Sequence, residues 1–107
     1  MARRNDVVLA RAFFSDSPES KVRPFIVLSD ERYSADGYAI LAPITTAGDE
    51  HCIPISKGDA DCAFVDGSGV RCDSIYRVRE RQIIRKLGRV NREFYSLLSE
   101  RICALIR

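Results

Sequence analysis

A mainly β fold finished by one helix is what this sequence predicts, on three observations. Short runs rich in β-branched and aromatic residues recur over residues 6–90, separated by clusters of Gly, Pro, Asp and Ser. Only residues 91–107 carry apolar side chains at helical spacing. A chain of 107 residues, 46% hydrophobic and 30% charged, holds material for one core and no second. The expectation is one domain over residues 1–107.

The first strand is residues 6–13, D-V-V-L-A-R-A-F, and residues 15–21, S-D-S-P-E-S-K, have loop chemistry. Residues 24–29, P-F-I-V-L-S, form an apolar run opening on a proline, as suits the first position of a buried strand. Residues 30–37 are polar and close a turn. Residues 38–44, Y-A-I-L-A-P-I, make the third strand, in which Pro43 marks an edge or a bulge where pairing stops, and Thr45 and Thr46 follow that interruption. A weak fourth strand over residues 52–55 precedes a Gly/Asp-rich loop at residues 57–67. Residues 69–76 alternate Val70, Cys72, Ser74 and Tyr76 with Arg71, Asp73 and Ile75, so one face should pack and the other carry chemistry. Residues 83–90 are short and basic, either a helical turn followed by a strand or a strand alone. Asn91 then caps a helix with Glu93 in its first turn and Phe94, Leu97, Leu98, Ile102 and Leu105 along one side. Five or more short strands and a terminal helix imply a small, strongly curved sheet or barrel with the helix packed across it.

The net charge of +2 conceals an asymmetry: residues 1–70 hold seven Lys/Arg against eleven Asp/Glu, and residues 71–107 hold ten against four. Arg71, Arg77, Arg79, Arg81, Arg85, Lys86, Arg89 and Arg92 make a stripe able to follow a phosphate backbone or simply to keep the surface solvated. No apolar run approaches the roughly 20 residues of a bilayer span, and the N-terminus lacks the apolar core of a signal peptide, so a cytoplasmic protein with no membrane partner is expected. Cys52, Cys62, Cys72, Cys103 and the lone His51 provide no C-x-x-C pair and no paired histidines. No metal site is expected, and the cysteines should be free thiols.

Three clusters at strand ends suit phosphate. Arg23 stands before Pro24, which holds its backbone extended and fixes a bidentate guanidinium donor relative to the strand. Thr45, in P-I-T-T, adds a hydroxyl and a backbone N–H. Arg71 and Asp73, in R-C-D, set a cation beside a carboxylate able to act as a base. Each has a plain structural alternative: an internal ion pair for Arg23 and Asp73, a turn cap for Thr45.

Six pieces in order carry a resemblance that runs nearly end to end: D-V-V-L-A at residues 6–10, F-S-D at 14–16, K-V-R-P-F-I-V-L-S at 21–29, A-P-I-T-T at 42–46, G-V-R-C-D at 69–73 and K-L-G-R-V at 86–90. The chain resembles the MazF/PemK family of toxins from bacterial toxin–antitoxin pairs. That resemblance implies an SH3-like, partly open barrel with a C-terminal helix, a homodimer, and a metal-independent endoribonuclease without cofactor. It also implies single-stranded RNA as substrate and a cognate antitoxin that blocks the RNA groove. The family's catalytic arginine and threonine fall on Arg23 and Thr45, and the R-C-D carboxylate used in one branch falls on Asp73. RNA contacts are expected at Arg71, Ser17, Lys21, Thr46, Arg85, Lys86 and Arg89. That branch also carries a histidine in the first loop, where this chain has Ser15, Asp16 and Ser17, and His51 does not match it. Asn5 replaces a common glycine; Asn tolerates a left-handed backbone better than most residues.

The residues fit the chemistry. Cleavage by the RNA's own 2′-hydroxyl needs a proton acceptor, a stabiliser of the phosphorane oxygens and a donor to the leaving 5′-oxygen. Arg23 suits the oxyanion, Thr45 positions a hydroxyl or phosphate oxygen, and Asp73 is the carboxylate of the matched clusters. Arg71 is assigned to substrate binding, because a guanidinium with a pKa above about 12 is a poor proton donor. Tyr33, Tyr38, Phe13 or Phe14 are suited to stacking bases or to the core. The competing expectation is a non-catalytic binding protein on the same barrel, an inhibitor of a protein target or a nucleic-acid adaptor.

Overall fold

A computed structural model describes residues 2–13 and 18–107. Seven strands and two helices follow in the order β1 (Asp6–Phe13), β2 (Ser20–Val27), α1 (Glu31–Ala35), β3 (Tyr38–Thr45), β4 (Cys52–Pro54), β5 (Gly69–Arg71), β6 (Tyr76–Arg79), β7 (Ile83–Arg89) and α2 (Arg92–Ile106). The sheet is antiparallel with strand order β4-β5-β3-β2-β1-β7, and β6 pairs with β3 off that path. The order does not return on itself, so the sheet is open, as a partly open barrel requires. Among the described residues no helix is long and apolar enough to cross a membrane.

Side-chain alternation along the strands sorts the buried residues of the one domain into two clusters, one on each face of the sheet. On one face Val7, Ile26, Ala42, Ile44, Ile53 and Val70 pack beneath α2, which contributes Phe94, Leu98 and Ile102. On the other, Val8, Ala10, Ala12, Phe25, Val27, Ala39 and Leu41 pack together with Val78. Each fully buried aliphatic or aromatic side chain contributes about 1.5–3 kcal/mol relative to exposure. Helix α2 starts where the sequence puts it: the Asn91 side chain accepts from the Phe94 N–H at 2.8 Å.

Four expectations need correction. The second strand begins at Ser20, not Pro24. Pro24 is tolerated inside it because β2 has not yet reached β3, with which pairing begins at Phe25–Pro43, and has only β1 beside it there. Residues 30–37 hold a helical turn: Asp30 caps α1 by accepting from the Tyr33 N–H at 3.2 Å, and Gly37 closes it at φ +95°. Residues 69–76 form two strands, not one, because β5 ends at Arg71 and β6 begins at Tyr76. Finally, β3 is the hub of the sheet and no edge. Pro43 interrupts pairing on one side of β3 only, since β6 covers residues 38–41 and β5 resumes at Ile44 while Phe25 of β2 pairs with Pro43 on the other side. Residues 83–90 resolve into the strand alternative. Gly88 of K-L-G-R-V is required by packing, since a Cβ there would meet the Cys62 Cβ at 2.8 Å. Asn5 adopts the left-handed backbone expected of it, φ +79°.

Candidate active site

Register brings the sequence's separate clusters to one end of the sheet. Lys21, Arg23 and Phe25 share a face of β2, and Leu41, Pro43 and Thr45 share a face of β3. Phe25 stands opposite Pro43, so the face of β2 that carries Arg23 is continuous with the face of β3 that carries Thr45, although the two strands pair only as far as Phe25. Phe25 is fully buried and meets the Tyr76 ring edge-on at a centroid distance of 5.8 Å, which anchors the strand two residues from Arg23. Arg23 itself is exposed. Thr45 is half-buried, and its hydroxyl accepts from the Ala47 N–H at 3.1 Å, while Thr46 beside it is exposed.

The other edge of β3 delivers the R-C-D segment. Thr45 pairs with Gly69 and Ile44 with Val70, so Arg71, two residues beyond Gly69, lies on the face of Thr45. Val70 and Cys72 turn the opposite way into the core under α2, as the alternation predicts. Arg71 is clasped from both sides. Its Nη1 donates to Asp73 Oδ1 and Oδ2 at 3.0 and 3.3 Å, and its Nη2 donates to Asp49 Oδ2 at 3.3 Å. The bond to Asp73, opposed by burial and helped by the bond to Asp49, pushes the Arg71 guanidinium further above its ordinary range. The His51 N–H, donating to Asp49 Oδ1 at 2.9 Å, and the Arg71 guanidinium hold the Asp49 carboxyl below the usual carboxylate value.

Asp49 is the residue sequence reasoning missed. It belongs to no quoted motif, and it meets Arg71 only because β4 pairs with β5, Cys52 opposite Arg71. The one signal was an acidic turn, A-G-D-E-H, between two strand candidates. His51 lies in that turn, and its carbonyl accepts from the Cys72 N–H at 2.9 Å.

The remaining candidates divide. Arg85 is exposed on β7 opposite Leu9 of β1. Lys86 and Arg89 both reach Asp6 Oδ1, at 3.4 and 2.8 Å, at the start of β1, whereas Arg23 pairs with Ala10 in the middle of that strand. Asp6 is buried, its side chain 3% exposed, and its second oxygen accepts from the Arg3 N–H at 3.0 Å. Ser17 and Phe14 lie outside the described residues. Tyr38 is covered by Arg77, whose guanidinium carbon sits 3.7 Å from the ring centroid and whose Nε donates to the Tyr33 hydroxyl at 3.1 Å. The four cysteines are free; burial pushes the Cys62 and Cys72 thiols up.

Chemically, this end of the sheet offers guanidinium and hydroxyl donors beside two carboxylates, a set suited to binding a phosphodiester and moving a proton near it. Comparison with known proteins bears on the same segments. A family model described as PemK-like, MazF-like toxin of type II toxin–antitoxin system matches residues 3–106. Among solved structures, an endoribonuclease in complex with its cognate antitoxin from a mycobacterial species superposes with a TM-score of 0.75, at 14% identity, over 98% of this chain and 92% of the other. The Mycobacterium tuberculosis toxin MazF-mt6 gives 0.73 at 22% identity over 92% and 93%. A MazE–MazF structure from Deinococcus radiodurans gives 0.73 at 15% identity over 98% and 95%. No curated protein matches in sequence at a significant level. At these identities the superpositions establish the fold.

Proposed function

The chain belongs to the PemK-like, MazF-like toxins of type II toxin–antitoxin systems, and from that premise we propose a single-domain, cytoplasmic endoribonuclease toxin that cuts single-stranded RNA at short sequences. In this reading it acts as a homodimer, its attacking group is the substrate's own 2′-hydroxyl, and a cognate antitoxin neutralises it. The observation that carries the reading is the common face that Arg23 of β2, Thr45 of β3 and Arg71 of β5 share by strand alternation, with Asp73 and Asp49 holding Arg71.

Arg23 donates to the non-bridging oxygens as charge builds on the phosphorane, so the positive charge needed there comes from the chain itself. Thr45 orients the attacking hydroxyl or a phosphate oxygen. Asp73 takes the proton: one of its oxygens turns from Arg71 to the 2′-hydroxyl while Asp49 keeps Arg71 in place, and as the 2′-oxygen bonds to phosphorus the bond to the 5′-oxygen breaks and that oxygen takes a proton from water. Arg71, Lys21 and Thr46 bind the flanking phosphates. Phe13, Val22 and Ile84 expose apolar surface on three neighbouring strands at this end, which favours burial against a second copy or an antitoxin segment.

The test is purified protein with a long unstructured RNA, with and without chelator, followed by chemical mapping of the new ends. Cleavage that persists in chelator, leaves a 2′,3′-cyclic phosphate and a 5′-hydroxyl, and stops when the cut-site 2′-hydroxyl is replaced by hydrogen is expected. Cutting abolished by chelator overturns the mechanism. Tight RNA or protein binding without cutting favours the non-catalytic reading.

A further inference from the structure

Ala2 stands ahead of the first strand, yet the fold holds it on every side. It is 5% exposed and packs in the cluster that contains Val8, Ala39 and Val78. Its carbonyl accepts from the hydroxyl of Ser34, a buried residue of α1. Its nitrogen donates to Glu80 Oε1 at 2.6 Å. Glu80 opens the helical turn Glu80–Gln82 between β6 and β7, and its own N–H donates to the Gly37 carbonyl at 2.9 Å, so the backbone that carries this carboxylate is itself anchored.

The match at Glu80 is incomplete in two ways. Its second oxygen, Oε2, is buried and has no hydrogen-bond partner. Its carboxylate pairs with no Lys, Arg or His among the described residues, so a half-buried negative charge faces a single neutral N–H. Both are unfavourable, because buried acceptors are normally bonded and buried charges normally paired. An amide nitrogen has one proton to donate, and here Oε1 has taken it. An α-ammonium in the same place has three, together with a positive charge. Oε1 and Oε2 hang on one carbon, so the nitrogen already touching the first needs only a further N–H to serve the second, and nothing has to enter from solvent.

We propose that the Met1–Ala2 peptide bond is cut by an aminopeptidase and that the freed α-ammonium of Ala2 is seated on the Glu80 carboxylate. The step is a hydrolysis: water gives its oxygen to the Met1 carbonyl carbon, which leaves as a carboxylate, and both water protons end on the Ala2 nitrogen. Removal of a leading methionine requires a small residue behind it, which Ala2 supplies. Because Ala2 is buried in the folded chain, the cut comes before this end docks. The ion pair then ties the residues ahead of β1 to the turn between β6 and β7. The inference does not rest on RNA cleavage.

Two measurements on the full chain test it. The intact mass of protein made in bacterial cells should be one methionine below that of the encoded chain. Retained methionine, or a blocked Ala2 amine, overturns the cut. The seat is tested on two forms released from a fusion by site-specific proteolysis, one beginning at Met1 and one at Ala2. The Ala2 form should unfold with an equilibrium constant at least about tenfold smaller, the scale of one charge-assisted hydrogen bond. Glu80→Gln removes the charge at nearly constant shape and should shrink that gap to about twofold or less, since the two changes act on one contact. Equal stability of the two forms, or a gap that survives Glu80→Gln, overturns the seat. If Glu80→Gln does not fold, acylation of the Ala2 amine decides: it should run at least about tenfold slower in the native protein than in urea, and equal rates overturn the proposal.

Discussion

Two clasps at opposite ends of the sheet are inverses of each other. Near the start of β1, one buried carboxylate, Asp6, is held by two cations, Arg89 at 2.8 Å and Lys86 at 3.4 Å. At the end of β5, one cation, Arg71, is held by two carboxylates, Asp73 at 3.0 Å and Asp49 at 3.3 Å. The first is nearly out of water, its Asp6 side chain 3% exposed; in the second the side chains of Arg71, Asp73 and Asp49 are 23%, 37% and 48% exposed. Desolvation decides what each is for. A buried charge depends on its partners to exist there at all, whereas a solvent-screened clasp adds little stability and leaves its members free to exchange partners. The Asp6 clasp therefore reads as structure and the Arg71 clasp as function.

The sharpest way to break that contrast is to remove each centre. Asp6→Ala should lose about 3 kcal/mol of unfolding free energy, the low end for a broken buried pair because Arg89 and Lys86 reach water. Arg71→Ala should lose under about 1 kcal/mol. Urea melts of both variants check this, and equal losses would erase the distinction. Arg23→Ala, next in size, should slow RNA cleavage by at least about 100-fold, the scale for one preorganised oxyanion donor. Its melt should be unchanged, since Arg23 is exposed on β2. A folded Arg23→Ala protein cutting at the normal rate would take Arg23 out of the site.

The same contrast explains what the sequence could and could not reveal. Strand 6–13, the α2 cap at Asn91 and the inward turn of Val70 and Cys72 are written in local periodicity, and so were legible. Arg23, Thr45 and Arg71 were readable as chemistry from R-P, P-I-T-T and R-C-D, but their sharing one face depends on β3 pairing with β2 at Pro43 and with β5 at Ile44. No local pattern encodes that register. Asp49 was invisible because its role arises across the β4–β5 ladder. The run 69–76 misled because its alternation continues through the bend at residues 72–75, where burial persists though pairing stops. The stripe over Arg85, Lys86 and Arg89 was similarly flattened: one-dimensional charge counting does not show that Asp6 takes two of the three.

A smaller effect sharpens the Arg71 side. Asp49 is held below the ordinary carboxylate value by the His51 N–H and Arg71, so what this clasp contributes is present above about pH 4 and is lost as pH falls through the depressed value. Between pH 5 and 8 Asp49 should stay ionised. Side-chain NMR signals of Arg71 should stay flat over that window and move only at lower pH. In Asp49→Asn the guanidinium should keep its Asp73 bonds and lose rigidity, and RNA affinity should fall by about tenfold or less, as for one charge-assisted contact. Melting should scarcely change. A neutral-pH transition at Arg71 in the parent protein would mean that Asp49 is not the group holding it.

The smallest effect separates three neighbours on β7 that sequence treats alike. Each phosphate neutralised on a single strand contributes about 0.7 to the log–log dependence of binding on salt. Arg85 is exposed and pairs with no carboxylate among the described residues, so Arg85→Gln should lower the slope of RNA binding by about that amount. Lys86 and Arg89 already neutralise Asp6, and a phosphate could recruit either only by uncovering a buried carboxylate. Lys86→Gln should therefore change the slope by less than Arg85→Gln, while lowering the melting temperature more. Arg89→Gln should cost the most stability of the three, because Arg89 also donates to the Arg4 carbonyl at 3.0 Å. If all three variants lowered the slope equally and melted alike, RNA would be able to pull β7's cations off Asp6, and the two ends of the sheet would share one electrostatic surface.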